Sequence, residues 1–174
     1  MNLRETILAV HSKEQTNKII NWVGNSQQRF DELFNLFLHD EYRVVQRSAW
    51  AVSYCAIEHP ALIKKHFKKL LSNLYEPKLH DAVKRNTMRL LQHVDIPEKF
   101  RGEVMDRCFQ YISSPTEPVA IKAFSLAVLQ NLSKHYPEII PEIKLIIEDR
   151  WEHETAAFRS RAGKFLAANK KLSK

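Results

Sequence analysis

The residues of this chain best suited to chemistry are its eight histidines and two cysteines, and their spacing matches no catalytic or metal-binding pattern. No H-E-x-x-H pair is present: Glu154 follows His153, but no second histidine comes one helical turn later. Cys55 and Cys108 do not form a C-x-x-C pair. Each lies inside an apolar helical pattern and reads as a reduced core thiol rather than as half of a disulfide or a metal ligand. The only glycines, Gly24, Gly102 and Gly163, are too far apart to build a Gly-rich phosphate loop. A G-x-S-x-G elbow, a Cys/His nucleophile pattern and a zinc-deaminase signature are all missing. Carboxylates are common at helix starts, where they cap. The expectation is a protein that is not an enzyme and uses no metal and no cofactor.

Binding by cations is the chemistry that remains. Net charge is +7 with a pI near 9.4, and the charge is unevenly placed. Residues 61–92 hold eight Lys/Arg against two acids, and residues 159–174 hold six against none, so the rest of the chain is about −5. Localised charge of this kind is what a surface patch requires. Arginine in such a patch suits phosphate and carboxylate, whereas lysine with glutamate suits plain solubility.

The elements that would position these side chains are helices. Hydrophobic residues make up 44% and charged residues 27%, a balance that folds, and 174 residues can bury a core without staples. With 3 glycines and with 7 prolines falling between apolar-periodic blocks, the chain lacks the turns a β-sandwich needs. Ser12-Lys13-Glu14-Gln15 reads as a capping box, Gly24 as a helix stop, and Asp95-Ile96-Pro97-Glu98 as a capped start with a first-turn proline. Nine or ten helices are predicted, at about 3–10, 12–23, 26–38, 41–58, 61–74, 79–94, 97–112, 117–135, 138–151 and 155–169. The apolar stretch near the N-terminus is too short for a signal peptide, and no run is long enough to span a membrane, so the expected compartment is the cytoplasm.

Every second helix repeats a pattern. Val45 with Ala49 and Val52 matches Val83 with Thr87 and Leu90, then Val119 with Ala123 and Leu126, then Phe158 with Ala162 and Phe165. The steps are 38, 36 and 39 residues. A helix pair at this period, with Val-x-Arg-x-Ala character early in its second helix, resembles the HEAT repeat. The resemblance covers about four units from Ser26 onward, with residues 3–24 as a degenerate capping pair. It implies an all-α fold, a right-handed α-α superhelix of about four to five antiparallel helix pairs forming one domain over residues 1–174. It further implies that second helices line the concave side and that the ligand is a protein or a nucleic acid.

Helical geometry sorts the faces. At about 100° per residue, the positions opposite the apolar stripe are Arg43, Arg47, Ala51 and Tyr54 in one repeat and Asp81, Arg85, Arg89 and Gln92 in the next. The following repeat places Glu117, Ile121, Ser125 and Val128 there. Arg43, Arg47, Tyr54, Arg85, Arg89, Gln92, Ile121 and Val128 are therefore the candidate binding residues. Trp50 shares a row with Met88, Phe124 and Gly163 and is expected to pack between repeats, as are Trp22 and Trp151. Lys64, Lys65, Lys68 and Lys69 read as a solvated outer face, and the tail from Lys170 to Lys174 is expected to fray.

The expected function is a binding module or scaffold for a protein or peptide partner, with nucleic-acid binding through the basic face as the alternative. Short HEAT-like arrays also resemble certain glycosylases for alkylated purines, but the exposed tryptophan pair and the aspartate of those enzymes have no match here.

Overall fold

The computed structural model describes residues 1–170; the basic tail beyond Lys170 lies outside the described residues. Ten α-helices are present and no strand occurs among the described residues. They fall into two compact units, one from Met1 to Asp95 and the other from Ile96 onward.

The first unit contains α1 (Leu3–Ala9), α2 (Lys13–Val23), α3 (Gln27–His39), α4 (Tyr42–Glu58), α5 (Phe67–Asn73) and α6 (Asp81–Leu91). Helix α4 is its centre and packs against α1, α2, α3 and α6. Phe30, Leu33, Phe34 and Phe37 of α3 are spaced i, i+3, i+4, i+7 and are fully buried. Facing neighbours on several sides, α4 buries Val44, Ser48, Ala49, Ala51, Val52, Ser53, Cys55 and Ala56. Most of these are small, which lets four helices approach one axis. Ala51 is thus core, although the single-stripe pattern places it on the free side.

Local signals act largely as the sequence predicts. The Ser12 hydroxyl accepts from the Gln15 backbone N–H at 3.1 Å, but the Gln15 side chain does not complete a reciprocal box. It reaches back to the Thr6 carbonyl at 2.6 Å and ties α2 to α1. Gly24 ends α2 at φ +50°, a left-handed conformation that glycine adopts without strain. The segment predicted as a helix over 61–74 is a turn, a 3₁₀ stretch at Lys64–His66, and the short α5. The motif at Asp95 differs too: Pro97 is itself the N-cap of α7, with no side-chain capping bond.

The second unit contains α7 (Glu98–Ser113), α8 (Val119–Leu132), α9 (Ile140–Arg150) and α10 (Ala156–Ala168). Here α8 is central and packs on α7 and α10. Its sequence, VAIKAFSLAVLQNL, is apolar on nearly every side, and a helix of that kind is buried all round. Cys55 and Cys108 are free and buried, and burial raises both thiols to about 12, so neither provides a thiolate at neutral pH.

Candidate functional site

The predicted binding residues separate into three groups. Arg43 and Arg85 are exposed, while Tyr54, Arg89 and Gln92 are half-buried. Arg47 is half-buried and occupied within the fold. Its guanidinium donates to the Leu8 carbonyl at 2.7 Å and to the Ile7 carbonyl at 3.4 Å. Those carbonyls end α1 and have no intrahelical partner, and a cation there also opposes the helix dipole. Arg47 is therefore reassigned from the binding face to the structure of the N-terminal helices.

The third group is a correction as well. Ile121 and Val128 are 0% exposed and belong to the core of their unit, not to a face. The reason lies in α8 itself. Opposite its apolar stripe the sequence offers Ile121, Ser125 and Val128 where α6 offers Arg85, Arg89 and Gln92. Aliphatic side chains there favour burial on that side too.

What the structure brings together is the side of α4 and α6 that carries Trp50, Tyr54, Arg85 and Arg89. Arg89 is fixed in three steps. The Asn86 amide nitrogen donates to the Ala82 carbonyl at 2.8 Å, and the Asn86 amide oxygen accepts from Arg89 at 3.2 Å. The Arg89 guanidinium lies 5.7 Å from the centre of the Tyr54 ring, within cation–π range. Tyr54 meets Trp50 edge-on, with ring centres 6.1 Å apart and planes at 61°. Aromatic and cation thus form one continuous shelf.

A notch of about 200 Å³ opens beside this shelf, lined by His11, Gln46, Trp50, Arg85, Asn86 and Arg89 above a floor at Ala82. No carboxylate is among the lining residues. Asp81, the acid nearest in sequence, pairs with Lys84 at 3.0 Å. The Trp50 indole nitrogen is buried and has no hydrogen-bond partner among the described residues. An unpaired buried donor costs about 1–3 kcal/mol. Trp50 is half-buried, so the expectation of inter-repeat packing describes only part of its surroundings; its row-mate Met88 is wholly buried.

A larger open groove of about 770 Å³ is lined in part by Leu38, Tyr42, Val45 and Leu79, with Lys68 and Lys69 at its edge. None of its lining residues is buried. Of the four lysines in this region, Lys65 pairs with Asp31 at 2.6 Å. His66 reaches the same carboxylate at 2.6 Å and Gln27 at 2.9 Å. Burial opposes ionisation of Asp31, but the Lys65, Gln27 and His66 hydrogen bonds outweigh it and hold the carboxyl at about 2.

Sequence reasoning missed one cluster altogether. In the second unit the Lys122 ammonium meets the Glu154 carboxylate at 2.6 Å, and Arg150 meets the same oxygen at 2.8 Å. Their side chains are 3%, 4% and 13% exposed in the order Lys122, Glu154, Arg150. Arg150 also donates to the Ser113 carbonyl at 3.2 Å, joining α7, α9 and the start of α10. Burial pushes the Glu154 carboxyl up, and the two cations more than reverse that, so it stays below the usual range. A lysine inside an otherwise apolar helix was the available signal. Its partner lies 32 residues away, and no local pattern marks it.

Among the described residues no group of three or more His, Cys, Asp or Glu is placed to hold a metal. No described helix is long and apolar enough to cross a membrane. A family description, the HEAT repeat domain, matches residues 3–166. The chain belongs to this family. HEAT repeat domains generally act as protein-interaction scaffolds and are typically non-catalytic. Comparison with curated proteins and with solved structures finds no match.

Proposed function

We propose that this HEAT-repeat chain is a non-catalytic binding module that takes a protein or peptide partner on the free side of α4 and α6. One observation carries the reading. Arg43 and Arg85 are solvent-facing residues with no acid paired to them among the described residues, and Arg85 stands beside the aromatic shelf of Trp50 and Tyr54. Arginine, tryptophan and tyrosine are the residues that most often anchor protein interfaces. We read residues 1–174 as one working domain, because the family match runs through both compact units. Cytoplasmic residence fits two unpaired thiols.

The test is capture from a native lysate with and without nuclease, comparing the natural chain with an Arg43→Glu/Arg85→Glu variant. The expected result is a protein that survives nuclease treatment and is lost from the variant. Loss on nuclease treatment, with binding that falls steeply as salt rises, would replace this reading with phosphate-backbone binding through counterion release.

A further inference from the structure

The notch beside Trp50 presents hydrogen-bond donors and no acid. Arg85 is exposed and has no partner among the described residues, and the guanidinium of Arg89 is held in place by Asn86 and Tyr54. Gln46 and His11 add groups able to donate. The Trp50 ring lines the notch, while its indole nitrogen is buried. With two arginines and no carboxylate in the lining, the ligand that suits the notch is an anion.

Size and direction narrow the choice. About 200 Å³ accommodates one small charged group and falls short of the 300–1,000 Å³ typical of sites for larger ligands. The donors come from three places: the α1–α2 link (His11), α4 (Gln46) and α6 (Arg85 and Arg89). A carboxylate accepts mainly in its own plane. A tetrahedral phosphate offers three oxygens that can meet donors from several sides, and its charge of about −1.5 to −2 suits an arginine-rich lining.

We infer that the notch formed by Trp50, Arg85 and Arg89 is a binding site for a phosphate monoester, carried on a side chain of the protein partner. The phosphate site stands on the notch alone; that a protein carries it rests on the proposed function. Arg85 supplies the free guanidinium and Arg89 the oriented one. The Trp50 ring forms part of the wall.

The orphan indole provides the readout. In the full chain labelled with ¹⁵N, the Trp50 indole N–H resonance is the one that disappears in Trp50→Phe. At constant ionic strength the chain is titrated separately with inorganic phosphate, a phosphoserine peptide, the same peptide unphosphorylated, and a single-stranded DNA oligonucleotide. The expected result is a saturable shift of the Trp50 indole with phosphate, with tighter binding of the phosphoserine peptide and no response to the unphosphorylated one. Arg85→Ala should weaken this response by about tenfold or more, as expected for losing a charge-assisted pair. Lys68→Ala, an exposed cation outside the notch, should leave it unchanged. A stationary indole, an equal response to chloride, or a response that survives Arg85→Ala would overturn the site. Tighter and steeply salt-dependent binding of the oligonucleotide would overturn the protein carrier while leaving the phosphate site standing. A partner captured through Arg43 and Arg85 that leaves the indole unmoved would do the reverse, keeping the proposed function and removing the phosphate site.

Discussion

Helices α6 and α8 hold equivalent places in successive repeats, and they use the side opposite their apolar stripe in contrary ways. Arg85, Arg89 and Gln92 of α6 remain exposed or half-exposed. Their counterparts in α8, Ile121, Ser125 and Val128, are wholly buried. The position four residues before Leu90 and Leu126 sharpens the contrast. Asn86 of α6 is buried and satisfied by its own helix, whereas Lys122 of α8 is buried and needs Glu154 from elsewhere in the chain. A repeat therefore fixes which stripe packs. The residue types off that stripe decide whether the remaining side is a surface.

The largest expected effect tests the buried half of this comparison. Ile121→Ala should lower stability by about 3 kcal/mol, within the range for emptying a packed aliphatic site. Urea denaturation measures it. A change below about 0.5 kcal/mol, the level of an ordinary surface substitution, would return Ile121 to the binding face.

Next comes the ionic cluster. Glu154→Ala leaves Lys122 buried without its counter-charge, which should cost about 3 kcal/mol. Lys122→Met removes the need for that partner and keeps the apolar stem, while Glu154 retains Arg150. It should cost less than Glu154→Ala, and the order of the two in denaturation checks the assignment. Equal, small effects would mean that water screens the cluster.

Most of the fold was legible from residue order because its causes are local. Ser12, Gly24 and the prolines punctuate helices within a few residues of themselves, and the stripe through Val45, Val83, Val119 and Phe158 repeats at a fixed step. The candidate site was legible only in part. Arg85, Arg89 and Tyr54 followed from helical angle alone. Arg47 had the same angle and was misplaced, because the carbonyls it meets belong to residues 39 and 40 positions earlier. Ile121 and Val128 were misplaced because a rule built on one stripe treats the other side as free. In α8 the composition of that other side already argued for burial. The notch was invisible for a further reason: His11, Trp50 and Arg85 are brought together only by packing.

A smaller effect separates the units by pH. The Asp31 clasp of the first unit joins α3 to the 3₁₀ stretch that precedes α5. Its carboxyl stands at about 2 when folded, against an ordinary value of 3.8. A depressed carboxylate adds stability that is present above the ordinary value and is lost as pH falls through the folded one. Stability of the natural chain should therefore decline between pH 3.8 and about 2 partly through this residue. In Asp31→Asn that contribution should be absent throughout, with the difference between the two proteins shrinking as the pH falls. Side-chain exposure of 36% keeps the effect small, because solvent screens the pair. A difference that grew toward low pH would contradict the assignment.

The smallest expected change in stability carries the most about function, because it divides two arginines at equivalent positions. Arg47 and Arg85 both lie two residues after the first stripe valine, in α4 and α6. Arg47 donates to two carbonyls at the end of α1, so Arg47→Ala should destabilise the chain by about 1.5–3 kcal/mol, the range for hydrogen bonds involving a charged group. Arg85 has no partner among the described residues, and Arg85→Ala should change stability by no more than about 0.5 kcal/mol. If the face binds, the ranking for ligand runs the other way. Arg85→Ala should weaken phosphate binding at the Trp50 indole, while Arg47→Ala should act on the ligand only as far as it loosens α1 and, with it, His11. Lysine separates the roles further. Arg85→Lys keeps the charge but loses the planar fork, so it should recover only part of the binding. Should Arg85→Ala unfold the chain as readily as Arg47→Ala, both arginines would serve the repeat, and α6 would differ from α8 in its solvent exposure but not in its use.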